Sequence, residues 1–217
     1  LANESGSSLL MGLLRRDAVT GAYHNSVAAW ALDQPVQWYD KRRLVPFGEF
    51  FPVPQAVREW LRLMNLPYSD FPPGRADPAP LRAAGETFAP TVCYEDAYGS
   101  EQLGLVRQSS LLVNVTNDAW FGDSTAPHQH LDISRMRALE SGRAMLRATN
   151  DGVTALIGHD GALLGTLPQF QPGVLTGEVQ PRTGLTPYVR FGNWPILAVL
   201  WLGVAVIVVS SRRSIRR

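Results

Sequence analysis

Along the first 180 positions, apolar residues fall mostly in short runs broken by turn-forming residues, the spacing of short strands rather than of long helices. Leu9–Leu14, Val27–Leu32 and Val36–Tyr39 predict three strands, separated by pieces such as Asp17–Gly21. Pro54–Asn65 predicts an amphipathic helix, with a proline in its first turn and Val57, Trp60, Leu61 and Met64 on one face. A loop rich in Pro, Gly and Asp, Leu66–Pro80, follows. Thr87–Cys93 predicts a strand, Glu95–Gln108 a helix and Leu111–Val115 a buried strand. His128–Arg147 predicts a long helix with Leu131, Met136, Leu139 and Leu146 on roughly one side. Val153–Gly158 and Ala162–Leu167 predict a hairpin around His159–Gly161, and Val174–Val179 a further strand. Strands and helices mixed in this way imply an α/β layered fold.

The pattern changes after Arg190. The next 21 residues carry no charge, and Trp194–Val209 is apolar on every face. As a helix the stretch is about 31 Å long, close to the hydrocarbon thickness of a bilayer. Four arginines follow (Arg212, Arg213, Arg216, Arg217), which places the C-terminus in the cytoplasm and residues 1–190 outside it. Leu1–Gly6 is polar and forms no signal peptide. A body placed outside the cytoplasm without its own export signal is expected to be the C-terminal piece of a longer membrane protein.

Composition narrows the classes. With 217 residues, 45% of them apolar and 18% charged, the chain suits one globular domain and neither a disordered tail nor a fibre. Of 20 cations against 19 acids, the four C-terminal arginines leave 16 against 19, a net of −3, in the first 190 residues. A weakly acidic body argues against nucleic acid as a partner. The single cysteine excludes a disulfide framework and a cysteine-based metal cluster. Among the cations, 19 are arginine and one is Lys41. A site that kept lysine is a candidate for chemistry needing a compact ammonium.

Cys93 falls where the apolar run Phe88–Val92 gives way to the polar Tyr94–Asp96. A side chain at a strand-to-helix turn is presented at the sheet edge, and the helix amides favour its thiolate. A small buried hydrophobe is the alternative for a lone cysteine. Histidine is the usual partner for a thiol, but His24 and His159 lie in expected turns, and His128 and His130 are two apart, a poor metal pair. All four read as surface or capping residues. Lys41 is then the natural neighbour for Cys93. Glu49, in a loop with Phe47, Phe50 and Phe51, is poorly solvated unless Lys41 or an arginine pairs with it.

Together these motifs carry a resemblance. Tyr39-Asp-Lys41, Leu44-Val-Pro-Phe-Gly-Glu49, Cys93-Tyr-Glu95, Asn117-Asp-Ala-Trp-Phe-Gly122, Arg135–Glu140, Arg147–Gly152 and Thr183–Tyr188 resemble, in order, the nitrilase-type domain of bacterial apolipoprotein N-acyltransferases. The resemblance implies a nitrilase-like αββα sandwich, truncated at its N-terminus, over residues 1–190. A transmembrane helix over 191–211 and a basic cytoplasmic tail over 212–217 complete the chain. It implies an enzyme that moves a fatty acyl chain from a membrane phospholipid, through a cysteine thioester, to the α-amino group of a diacylglyceryl apolipoprotein. Cys93 is then the nucleophile and Lys41 the lysine of a Glu-Lys-Cys triad. Glu49 becomes a second active-site acid, with Tyr94 and Glu95 in support beside the nucleophile. Phe47, Trp120 and Phe121 are expected to contact acyl chains, with core packing as the alternative. Asn117 and Asp118 read as turn caps, and Arg135, Arg137, Arg143 and Arg147 as a charged helix face. The family's general-base glutamate has no counterpart here, since Glu4 lies too close to Lys41, so residues 1–217 alone are expected to be inactive. No metal or cofactor, a monomer, and a bacterial inner-membrane location with the catalytic domain on the outer face complete the expectation. A hydrolase of small amides or nitriles and a non-catalytic membrane-anchored module are the competing readings.

Overall fold

Strand pairing divides the chain into two sheets. The computed structural model describes residues 5–31, 34–54, 56, 57, 60, 63 and 71–215. The expected helix Pro54–Asn65 lies largely outside the described residues, as does most of the loop after it.

The first sheet is an antiparallel meander of β1 (Leu9–Arg16), β2 (Tyr23–Trp30) and β3 (Gln37–Asp40). The second has six strands in chain order, β4 (Leu81–Ala83), β5 (Glu86–Val92), β6 (Leu111–Asn117), β7 (Met145–Asn150), β8 (Thr154–Ile157) and β9 (Leu163–Leu167). Its centre, β5–β6–β7, is parallel, and its outer pairs are antiparallel. Parallel neighbours need crossovers. These are α1 (Gly99–Val106) between β5 and β6, and α2 (Ala126–Ser141) between β6 and β7.

The sheets pack face to face. Val27, Ala29 and Tyr39 of the first join Phe88, Ala89, Val92 and Val113 of the second in one core. Period-two alternation sends Leu9, Met11 and Trp38 to the other face of the meander. They are exposed, and no helix covers them among the described residues. The described chain therefore shows three layers, β-β-α, of the expected αββα sandwich.

Three expectations need correction. The long helix His128–Arg147 ends at Ser141, because Gly142 takes the left-handed conformation (φ 64) that stops a helix, and Met145–Asn150 is strand β7. Glu95–Gln108 is broken at Tyr98 into a 3-10 turn, Cys93–Ala97, and α1. Val174–Val179 runs without a strand partner, although Leu175 lies against Gly165 and Val179 against the core. The short strand β4 was not expected.

After β9 the chain returns under the sheet. Arg143 donates to the carbonyls of Ser109 and Gly184, and Arg107 to that of Val189, at the C-terminal end of α3 (Pro187–Phe191). α4 (Trp194–Ile215) follows. Among the described residues no helix is long and apolar enough to cross a membrane, the side chains of 209 and 212–217 lying outside that set. The apolar side chains of α4 that are described, among them Trp194, Leu200, Trp201, Leu202 and Ile207, are all exposed.

Gly12 of β1 marks a close approach of the two sheets. A Cβ there would lie 2.9 Å from Val115 Cγ2 on β6. Gly12→Ala is expected to lower stability by about 1–3 kcal/mol through overpacking, and Val115→Ala in the same chain to restore much of it. Urea denaturation of the two variants checks this; additive losses would contradict it.

Candidate active site

β5 is buried to its last residue, Val92, and the chain must then turn sharply to enter the 3-10 helix. Cys93 makes the turn with φ 55, a conformation that costs a non-glycine residue about 1–3 kcal/mol and persists only where the surroundings impose it. Glu95 is one of the groups that do so. Its carboxylate is wholly buried and accepts from the Val92 amide (2.8 Å), the Arg42 and Arg43 amides (2.7 and 3.0 Å) and the Tyr39 hydroxyl (3.1 Å). Burial pushes the Glu95 carboxyl above its ordinary range, against the pull of the three amides. One side chain thus ties the Cys93 turn to the segment that leaves β3.

That segment carries Lys41. Alternation past Asp40 turns Tyr39 and Lys41 inward, and Lys41 is only 2% exposed. Its ammonium pairs with both oxygens of Glu49 at 2.8 Å and stands 5.3 Å from the centre of the Tyr94 ring. Glu49 also accepts from the Val45 amide (2.8 Å) and from Asn25 Nδ2 (3.0 Å), so the acid of the Phe-rich loop is fully partnered. Tyr94 is pinned through its hydroxyl to the Leu44 carbonyl at 2.8 Å. Lys41, Glu49, Tyr94 and Glu95 therefore gather around the turn that presents Cys93. A cleft of about 470 Å³ opens beside them, lined by Arg42, Arg43, Leu44, Phe50, Phe71 and Pro72.

Phe47 (68% exposed), Trp120 (88%) and Phe121 (45%) are not core residues, which removes the packing alternative. Asn117 does cap a turn, accepting from the Ala119 amide at 3.2 Å. Asp118 does not. It is wholly buried, and with it lies a group of charged residues that sequence reasoning had placed on the surface.

The centre of that group is Arg147, on β7 rather than on a helix. Its Nη2 donates to Asp118 Oδ2 (3.0 Å) and its Nη1 to Asn114 Oδ1 (2.7 Å) and Ser134 Oγ (2.9 Å). His130, read above as a surface residue, is buried between Asp118 (Nδ1, 3.0 Å) and Asp96 (Nε2, 3.1 Å). Burial alone would lower its pKa, but the two carboxylates outweigh it and lift the imidazole to about 9. Asp118 is held below its usual range, burial being outweighed by His130 and Arg147. Asp96 lies three residues after Cys93, and Arg147 is within electrostatic reach of the thiol. The available signal was Gly142: a helix stopped there puts Met145, Arg147 and Thr149 on one face of a strand. Arg143 is likewise buried, whereas Arg135 and Arg137 lie on α2 and pair with Asp132 and Glu140. Among the described residues no group of three His, Cys, Asp or Glu side chains is arranged to hold a metal ion.

Comparison with known proteins sets this geometry in context. The model of the carbon-nitrogen hydrolase family matches residues 1–188. An apolipoprotein N-acyltransferase of Azotobacter vinelandii is 51% identical over 171 residues, covering 78% of this chain and 33% of that protein. One of Nitrosomonas europaea is 43% identical over 216 residues, covering 98% of this chain and 43% of its own. The chain thus spans well under half the length of these curated relatives. Among solved structures, an amidase from Nesterenkonia is similar with a TM-score of 0.58 at 22% identity, over 79% of this chain and 60% of that one. A carbon-nitrogen hydrolase from Helicobacter pylori is similar with a TM-score of 0.57 at 16% identity, over 76% and 59%. At these identities the two structures speak for the nitrilase-like fold.

The buried cluster has a measurable signature. Arg147→Met leaves Asp96 and Asp118 with one cation between them and is expected to cost about 3–5 kcal/mol in urea unfolding. Because the folded-state pKa of His130 is raised from 6.5 to about 9, its contribution is complete below pH 6.5 and is lost as pH rises through about 9. Stability should fall over that window in the unsubstituted chain, and His130→Gln should flatten the fall. An unchanged slope would show that His130 is not charged in the fold.

Proposed function

Since this chain belongs to the carbon-nitrogen hydrolase family, we propose that it carries the acyl-transfer site of an apolipoprotein N-acyltransferase, with Cys93 as nucleophile and Lys41 as triad lysine. The observation that carries the reading is the buried Lys41 ammonium held beside a strained Cys93 turn by the Glu95 carboxylate. Identity of 43–51% to proteins of that name supports it.

The chemistry is a two-step transfer. The Cys93 sulfur attacks the carbonyl of a phospholipid ester, a sulfur–carbon bond forms, and the carbonyl oxygen takes up negative charge. The Lys41 ammonium and backbone amides of the Cys93 turn stabilise that oxyanion. Its collapse breaks the ester bond and releases a lysophospholipid, whose oxygen takes the proton given up by the thiol. The free α-amino group of a diacylglyceryl apolipoprotein then attacks the thioester, loses a proton and regenerates the thiol. Glu49 fixes the lysine. Among the described residues no glutamate precedes Lys41 to act as general base.

The surroundings suit lipid substrates. Phe47, Trp120 and Phe121 offer apolar surface to acyl chains, and the cleft beside Lys41 joins two arginines to phenylalanine and proline. In the same reading α4 spans the inner membrane, its exposed apolar side chains facing lipid and its C-terminal arginines facing the cytoplasm. The catalytic domain then sits on the outer face, as a monomer.

Membranes containing the full-length protein, supplied with phospholipid bearing an alkyne-tagged acyl chain, should acquire a hydroxylamine-sensitive adduct on Cys93. Cys93→Ser should abolish the adduct and Lys41→Arg reduce its rate of formation at least about 100-fold. Residues 1–217 alone should form none from phospholipid. An adduct that persists in Cys93→Ser, or that forms at full rate in Lys41→Arg, contradicts the assignment. Ammonia released from small amides with no lipid adduct would favour a hydrolase.

A further inference from the structure

Asn114 lies mid-way along β6, wholly buried on the face of the sheet that meets α2, with Thr91 and Arg147 beside it in register. The orientation of its amide follows from its partners. Arginine only donates, so the atom 2.7 Å from Arg147 Nη1 is the amide oxygen. The nitrogen then donates twice, to Thr91 Oγ1 (2.9 Å) and to the backbone carbonyl of Cys93 (3.0 Å). The second bond reaches beyond the end of β5 to the residue with φ 55. Arg147 is held in place, because Asp118, Ser134 and the Val153 carbonyl take three more of its donors.

The peptide joining Cys93 to Tyr94 is trans and planar, so its carbonyl and its N–H point in opposite directions. With the Cys93 carbonyl drawn toward the helix layer, the Tyr94 N–H is aimed the other way, toward the meander from which Lys41 emerges. A carbonyl oxygen gaining charge on an acyl group attached to Cys93 then meets a backbone donor from one side and an ammonium from the other.

We propose that Asn114 is a positioning residue of the nucleophile turn: by holding the Cys93 carbonyl it aims the Tyr94 N–H at the oxyanion, and Arg147 locks it in the orientation that does so. The inference rests on the reading of Cys93 as an acylated nucleophile and adds to it the element that orients the backbone donor.

Asn114→Asp tests this with little change of shape. It replaces the donor facing the Cys93 carbonyl by an oxygen and keeps an acceptor for Arg147. Cys93 is the single cysteine, so two reactions of residues 1–217 report on one sulfur. Alkylation by iodoacetamide builds no oxyanion, whereas acylation by p-nitrophenyl butyrate does. The p-nitrophenolate of this ester leaves far more readily than the alkoxide of a lysophospholipid. The activated ester therefore acylates where phospholipid does not. Asn114→Asp should alkylate within about fivefold of the unsubstituted rate and acylate about 100-fold more slowly. Val113→Ala, equally buried on the same strand with its side chain on the opposite face, serves as a control in which both rates change together. A parallel fall of both rates in Asn114→Asp, or an unchanged acylation rate, overturns the proposal. An unsubstituted chain that alkylates but never acylates is a different result: it refutes the nucleophile reading itself, and this inference with it.

Discussion

A single buried carboxylate holds the site together. Glu95 receives hydrogen bonds from the residue before Cys93, from the two residues after Lys41 and from a tyrosine on β3. These donors come from two sheets, and the Tyr94 hydroxyl adds a second link between the same segments at the Leu44 carbonyl. Four donors around one buried acid make its burial tolerable, since both of its oxygens are left with partners. The constraint is mutual. Without the acid, three amides and a hydroxyl would be buried without an acceptor, and the turn that bends Cys93 into a left-handed conformation would lose its anchor.

Around this clamp the charges are arranged in two groups of different character. Lys41 and Glu49 form a close pair, and an open cleft is lined by their chain neighbours Arg42 and Phe50. Arg147, His130, Asp96 and Asp118 form a closed group behind the turn, with both ring nitrogens of His130 and both oxygens of Asp118 occupied. Buried ion pairs of this kind contribute little net stability compared with apolar packing, but they are costly to break, which makes them suited to fixing one arrangement. The first group borders the surface and the second is sealed inside the fold.

Much of this was legible in the sequence, and the parts that were not have physical reasons. The strands around Cys93 and Lys41 announced themselves as short apolar runs ending in polar turns. The scarcity of lysine and cysteine singled out those two residues before any geometry was known. Glu49 was readable because an acid among phenylalanines must find a cation. Arg147, Asp118 and His130 were not read, because a charged residue in sequence carries a presumption of exposure. Overlooking the helix stop at Gly142 then put Arg147 on a helix face. Glu95 was singled out only through the family resemblance and Asn114 not at all, since the Arg42 amide that binds Glu95 and the Cys93 carbonyl held by Asn114 lie on segments more than 20 residues away. Strand β4, three residues long, is too short for alternation to declare it.

The Cys93 turn and the segment carrying Lys41 form one mechanical unit joined at Glu95. Hydrogen–deuterium exchange of Glu95→Gln, read at the backbone amides of Arg42, Arg43 and Val92, tests it most directly. A glutamine presents an NH2 where at least one of these amides needs an acceptor. The account predicts that all three lose protection together, by at least about tenfold, while the amides of β8 exchange as before. Unchanged protection at Arg42 and Arg43 would contradict it, because the two segments would then be held in place without the carboxylate.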